Sequence, residues 1–204
     1  MNKWLVSISI VLAFGAAGVQ AAGDAAAGKA KSADLICATC HGPDGNSPAN
    51  PVWPKLAGQH PNYLVKQLTE LKSGARKDQT MSPMAAPLSD QDVQDLAAFF
   101  SSQTQTPGTA AADKVAMGEK LYRAGNKASG VAACMACHGP TGIGNGPANF
   151  PRISGQHAPY LEKALKDFRS GARSNDLNGM MRDVATKMSD DEIAAVAQYV
   201  QGLR

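Results

Sequence analysis

Aromatic side chains are scarce in this sequence. Phe, Trp and Tyr make up 5 % of the 204 residues, against 44 % hydrophobic residues in all. A packed core is within reach, but one with few large side chains, so two small domains would need something else to fill them. Charge is not concentrated either. The 20 basic and 17 acidic residues leave a formal charge of +3. There is no basic run and no interleaving of basic with aromatic residues, which excludes a nucleic-acid binder. No stretch alternates apolar and polar residues well enough for a strand. That excludes a sheet protein, and with it the βαβ setting of a thioredoxin-like redox motif. Past the N-terminal segment, no apolar run is long enough to span a bilayer.

What is there begins with an export pattern. "MNK" is a positive start, residues 4–19 form an uncharged, apolar run broken only by Ser7 and Ser9, and "VQA" places small residues before a cleavage point after Ala21. As a helix the apolar run would reach about 24 Å, short of a hydrocarbon core of ~30 Å. Residues 1–21 are read as a cleaved signal peptide, and the mature chain as exported.

The mature chain repeats itself. Shifting it places Cys37, Cys40, His41 and Gly42 on Cys134, Cys137, His138 and Gly139. "WPKLAGQHPNYL" falls on "FPRISGQHAPYL", and the "SGAR" ending at Arg76 falls on the one ending at Arg173. Beyond that point the register grows: Met81 meets Met181, and Ser89 meets Ser189. A long unit present twice is a duplicated domain, not a solenoid. The sequence predicts an N-terminal domain over 22–101, a linker over 102–112 rich in Ser, Thr, Gln and Pro, and a C-terminal domain over 113–204.

Each copy is predicted to be helical. Leu64, Gln67, Leu68 and Leu71 keep helix spacing, as do Leu161, Ala164, Leu165 and Phe168. Ser89 with Asp92, and Ser189 with Glu192, read as capping boxes that open a last helix. Val93, Leu96, Ala97 and Phe100 then form one face, matched by Ile193, Val196, Ala197 and Val200. Gly and Pro cluster just after each motif histidine and mark loops.

Each cysteine pair is followed at once by histidine, as C-x-x-C-H. A disulfide pair and a zinc site pooled from both motifs are the alternatives. The pattern is the attachment signature of c-type haem, and its recurrence in register with a repeat favours two covalent haem c groups. On a helical turn the positions i, i+3 and i+4 share one face. Two thiols can therefore reach one porphyrin edge while the imidazole of His41 or His138 points at the iron. A large apolar group held this way would also supply the missing core.

The second axial position has several candidates: Met81, Met84, His60 and their copies. The repeat singles out Met81 and Met181, since Met84 falls on Val184 and Met180 falls on Thr80. His60 and His157, in "GQH", suit a capping or surface role better. A carbonyl near Pro48 or Pro147 could accept the proton on the motif histidine's Nδ1. Trp53 and Phe150 suit packing against a haem or an ordinary core. Lys55 and Arg152 suit haem propionates or, as the safer expectation, solvated surface.

With these motifs placed, the chain resembles the class I cytochromes c, and among them the dihaem cytochrome c4 family. "CATCHGPDGNSPA", "WPKLAGQ", "YLVKQL", "PLSDQD", "CMACHGPTGIGN" and "QYVQGLR" carry the likeness, over about residues 22–204. The resemblance implies an all-α fold of two cytochrome c domains, each wrapped around one covalent haem. It implies thioether bonds at Cys37, Cys40, Cys134 and Cys137, with His41 and Met81 on one iron and His138 and Met181 on the other. It also implies a periplasmic electron carrier rather than an enzyme. The donor would be a partner such as a quinol-oxidising complex and the acceptor one such as a terminal oxidase, with peripheral membrane association compatible. A dihaem peroxidase and a fixed subunit of a membrane complex are the competing readings.

Overall fold

The computed structural model describes residues 23–204, so the signal segment read over 1–21 lies outside the described residues. Two similar helical units follow one another. The first holds α1 (Ala25–Asp34), α2 (Cys37–His41), α3 (Pro61–Ser73), α4 (Met81–Ala85) and α5 (Asp90–Ser102). The second holds α6 (Ala112–Ala124), α7 (Met135–His138), α8 (Ala158–Ser170), α9 (Met180–Ala185) and α10 (Asp190–Gly202). Among the described residues the only extended pairings are two isolated bridges, Asn126 with Val131 and Asn145 with Phe150.

The helices begin and end where local chemistry directs. α3 and α8 carry proline in their first turn, where no backbone donor is missed, and stop at Gly74 and Gly171 in the left-handed conformation. Both expected capping boxes form. Ser89 Oγ accepts from the amide of Asp92 at 3.1 Å, and Asp92 Oδ2 accepts from the amide of Ser89 at 2.9 Å. Ser189 and Glu192 repeat this at 3.2 and 2.9 Å. The apolar faces they launch, Val93–Leu96–Ala97–Phe100 and Ile193–Val196–Ala197–Val200, are all buried. Each large aliphatic or aromatic side chain among them contributes about 1.5–3 kcal/mol.

α1 and α6 escape the repeat register that aligns the cysteines. Gly28 matches Gly118, but the second copy has seven more residues before its first motif cysteine, as the numbering from Gly28 to Cys37 and from Gly118 to Cys134 shows. That extra length forms the turn closed by Asn126 and Val131, bonded both ways at 2.9 and 3.0 Å. α1 crosses α5 at Gly28, where an added Cβ would sit 2.0 Å from the carbonyl oxygen of Asp95. α6 crosses α10 at Gly118, with 2.2 Å to the oxygen of Ala195. Only glycine lets the two backbones approach so closely. Four positions further along, one helical turn, the copies differ. Tyr122 is fully buried and donates to the carbonyl of Gly139 at 2.5 Å, whereas Ser32, its counterpart, is buried with its hydroxyl unpartnered.

The segment 103–111 is tied to both units rather than loose. Asn46 of the first unit donates to Thr104 O at 3.0 Å and accepts from the amide of Thr106 at 2.8 Å. Gln201 of the second donates to Thr109 O at 2.6 Å.

The two "GQH" motifs join the units reciprocally. Gln59 accepts from the amide of Arg152 and donates to its carbonyl, both at 2.9 Å. Gln156 does the same to Lys55, at 2.8 and 2.9 Å. His60 Nε2 donates to Ile143 O at 2.7 Å, and His157 Nε2 donates to the carbonyls of Ser47 and Asn46 at 3.1 and 3.3 Å. The capping role expected of these histidines does not form, because neither side chain bonds its own helix. Lys55 is not solvated surface. It is 5 % exposed, and its ammonium donates to Thr106 O and to Gly155 O across the interface, at 2.7 and 2.9 Å.

Candidate functional site

Each C-x-x-C-H motif forms its own short helical turn. In the first, Ile36 adopts φ 53° and starts the turn of α2, which runs from Cys37 to His41. In the second, Cys134 caps α7, and the amide of His138 bonds back to Cys134 O at 3.0 Å. The i, i+4 bond fixes cysteine and histidine on one face. Gly42 and Gly139 follow with φ of 78° and 75°, so the chain leaves the turn directly after each histidine.

Both imidazoles are buried and oriented. His41 Nδ1 lies 3.0 Å from Pro54 O, and His138 Nδ1 lies 2.9 Å from Pro151 O. A carbonyl only accepts, so Nδ1 carries the proton in each ring. Burial pushes both histidines below their usual range, against the raising effect of these carbonyls. A neutral ring protonated at Nδ1 leaves the Nε2 lone pair free to ligate. His60 and His157 are the reverse, since their Nε2 protons are committed to carbonyls of the opposite unit.

The acceptors are not near Pro48 and Pro147, as the loop composition suggested. They are the prolines of "WPK" and "FPR", thirteen residues beyond each histidine. Their signal was present, because each sits in the longest repeated string, but a proline gives no hint that its carbonyl is needed. The two sites differ in one detail. Ser47 Oγ donates to the same Pro54 carbonyl at 2.6 Å, while Gly144 stands at the matching place of the second copy.

The four cysteines carry no disulfide. Among the described residues no three His, Cys, Asp or Glu side chains gather as a metal cluster, so the motifs do not pool into one tetrahedral site. Burial pushes the Cys37 thiol up, and that of Cys134 up to about 11. Thiols raised in this way lack the low-pKa thiolate of a redox-exchange pair.

Met81 opens α4, half-buried against the first core. Its amide donates to Asp78 Oδ1 at 2.8 Å, which anchors the loop before it. Met181 is the second residue of α9 and half-buried, while Met180 before it is 37 % exposed. Asp176 anchors this loop, accepting from the amide and the guanidinium of Arg182 at 3.0 and 2.8 Å. The three residues gained in this copy make the turn Leu177–Gly179, with Asn178 at φ 53°. Neither aspartate was singled out from the sequence.

Between the units lies a buried cation. Arg173, 8 % exposed, donates to Tyr63 Oη at 3.1 Å and Gln67 Oε1 at 3.0 Å, with its guanidinium 4.5 Å over the Phe168 ring. Among the described residues it has no carboxylate partner at ion-pair distance. A buried guanidinium without an anion suits a cofactor that brings carboxylates of its own. Two unoxidised thiols on the face of a turn, an oriented neutral imidazole beside them and this cation all fit a covalently attached haem.

Comparison with known proteins agrees. The pattern of the cytochrome c family matches residues 25–104 and again 115–204. The chain is 55 % identical to a cytochrome c4 of Thiocapsa roseopersicina over 182 residues, covering 89 % of this chain and 93 % of that protein. It is 51 % identical to one from Azotobacter vinelandii, over the full length of both. The crystal structure of reduced recombinant cytochrome c4 from Pseudomonas stutzeri superimposes with a TM-score of 0.86 at 49 % identity, covering 90 % of this chain and all of that one.

Proposed function

The chain belongs to the cytochrome c family, on its dihaem cytochrome c4 branch, and from that membership we propose that it is a periplasmic shuttle carrying electrons from a quinol-oxidising complex towards a terminal oxidase. Two cytochrome c domains and two covalent haem c groups make it an electron-transfer protein. The proposal assigns the domains to 22–101 and 113–204, joined by 102–112. It assigns the thioether bonds to Cys37, Cys40, Cys134 and Cys137, and the axial positions to His41 with Met81 and His138 with Met181.

Bound at these residues, each haem supplies a one-electron ferric–ferrous couple. The chain's own part is to hold ligands still through the change of charge. The observation that carries the reading is the pair of imidazoles, each locked through Nδ1 to a proline carbonyl, at 3.0 and 2.9 Å, with Nε2 left free. A methionine is available to each site, so neither needs an open coordination position. That favours a carrier over a peroxidase, which requires one.

Mass spectrometry of the mature protein should give the chain from Ala22 plus two haem masses. A mass without haem and with two disulfides would sink the proposal. Steady-state peroxide reduction should stay at the background of a monohaem carrier; rapid turnover would favour the peroxidase.

The asymmetry at Ser47 has its own expected effect. The hydroxyl shares the Pro54 carbonyl with His41 and weakens the imidazole's bond to it. Ser47→Gly frees that carbonyl, makes His41 the stronger donor and favours the ferric state. Redox titration should show the midpoint of the N-terminal site falling by up to about 59 mV, a tenfold change for one electron, with the other site unmoved.

A further inference from the structure

We propose that Gln59 and Gln156 are positioning residues, each tuning the iron-binding histidine of the opposite domain. The proposal rests on His41 and His138 being the axial ligands assigned above. It goes beyond that assignment because it makes each site's potential depend on a side chain of the other domain.

The geometry lies in two peptide groups. Pro54 C=O accepts from His41 Nδ1 at 3.0 Å, and the N–H of the same peptide plane, that of Lys55, donates to Gln156 Oε1 at 2.8 Å. Pro151 C=O accepts from His138 Nδ1 at 2.9 Å, and the N–H of that plane, that of Arg152, donates to Gln59 Oε1 at 2.9 Å. A peptide group is one conjugated unit. Drawing on its N–H pushes electron density to its oxygen, so the two hydrogen bonds strengthen one another. A stronger acceptor at Nδ1 makes the imidazole a better donor to a metal. The path from each glutamine to a histidine therefore contains two hydrogen bonds and one peptide, and it always crosses the interface.

These contacts are buried. Gln156, Lys55 and Gln59 are 4 %, 5 % and 8 % exposed, so water does not compete for the bonds. The arrangement is also reciprocal in every atom named, which adhesion alone would not require. Across the interface each glutamine bonds the residue directly after the proline that its partner domain's histidine uses, and the amide of its own following histidine, His60 or His157, donates to the same oxygen at 3.0 Å and holds it in place.

The alternative is that the glutamines only hold the domains together. The two roles predict opposite signs. Loosening the interface admits water, which favours the more charged ferric state and lowers both midpoints. Removing the polarising acceptor weakens the distant histidine as a donor and raises one midpoint, that of the other domain.

The test uses the holoprotein. Gln156→Met keeps volume and removes the acceptor, Gln156→Glu keeps an acceptor, and Gln59→Met is the mirror case. Midpoints are read by redox titration followed by proton NMR, with each site identified by the signals altered in Met81→Ala and Met181→Ala proteins. Gln156→Met should shift the ferric-to-ferrous ratio of the N-terminal site several-fold toward reduction, up to about tenfold, and move the C-terminal site less than about twofold. Gln156→Glu should leave the N-terminal midpoint at or below its starting value. Gln59→Met should raise the C-terminal midpoint alone. In the ferric state the hyperfine-shifted Nδ1 proton of His41 should move and exchange faster in Gln156→Met. Midpoints that fall, that move at the variant's own domain, or that move equally at both would overturn the proposal. A parent protein without hyperfine-shifted ring N–H signals from His41 and His138 would instead remove the ligand assignment, and the tuning with it.

Discussion

Met181→Ala should open the second site and leave the first closed. The reduced variant is expected to bind carbon monoxide at about one equivalent per chain, and its C-terminal midpoint should drop by a sizeable part of the ~0.8 V range that axial ligation spans. Met81→Ala should do the same to the N-terminal site. The expectation rests on register and on placement. Met81 and Met181 recur at equal distance from the capping boxes at Ser89 and Ser189, and each lies in the first turn of a short helix whose preceding loop is anchored by an aspartate. Met180 is 37 % exposed and Met84 has valine as its counterpart, so Met180→Ala and Met84→Ala should leave carbon monoxide binding at background. A carbon monoxide difference spectrum on the four proteins checks this. Binding to the Met84→Ala protein with none to Met81→Ala would reassign the first site.

How much of this was legible beforehand depended on whether the signal was local. The capping boxes and the faces behind them could be read because each involves residues three or four apart on one element. The cysteine motif could be read for the same reason. The crossing helices α1 and α6 could not, because their match follows a different register and their glycines make sense only against α5 and α10. The acceptors Pro54 and Pro151 were hidden because a backbone carbonyl carries no sequence signature. Gln59 and Gln156 drew no reading of their own, and the capping role expected of His60 and His157 fails for a physical reason. Near a helix start in one chain segment, a polar side chain suggests a cap. Here the two copies face each other, and each side chain finds a better-placed carbonyl or amide in the other domain than in its own helix. Lys55 went the same way. A lysine is expected in water, yet two carbonyls from different parts of the chain hold this one inside.

Gly28→Val should cost more than about 4 kcal/mol, beyond the ordinary range for a single substitution. The first new atom at this position would meet the carbonyl oxygen of Asp95 at 2.0 Å, its carbon at 2.5 Å and the Cβ of Phe99 at 2.8 Å. None of these is the far end of a flexible side chain. α1 must therefore lift off α5, because backbone cannot yield as a rotamer does. Lifting it also breaks the bond from the amide of Asp24 to Asp95 Oδ1 at 2.8 Å, which ties the start of α1 to the same helix. The apolar face of α5 around Phe99 would be uncovered in the same movement, adding lost burial to the clash. Gly74→Ala is the control. It stands at φ 78° with nothing within 4 Å of an added Cβ, so only backbone strain of about 1 kcal/mol is expected. Gly118→Val should match Gly28→Val in the second domain, since its Cβ would lie 2.2 Å from Ala195 O and 2.6 Å from the Cβ of Tyr199. Urea denaturation of the three holoproteins, followed by far-ultraviolet circular dichroism, separates the cases. A Gly28→Val protein within about 1 kcal/mol of its parent would mean that α1 and α5 do not cross as closely as described.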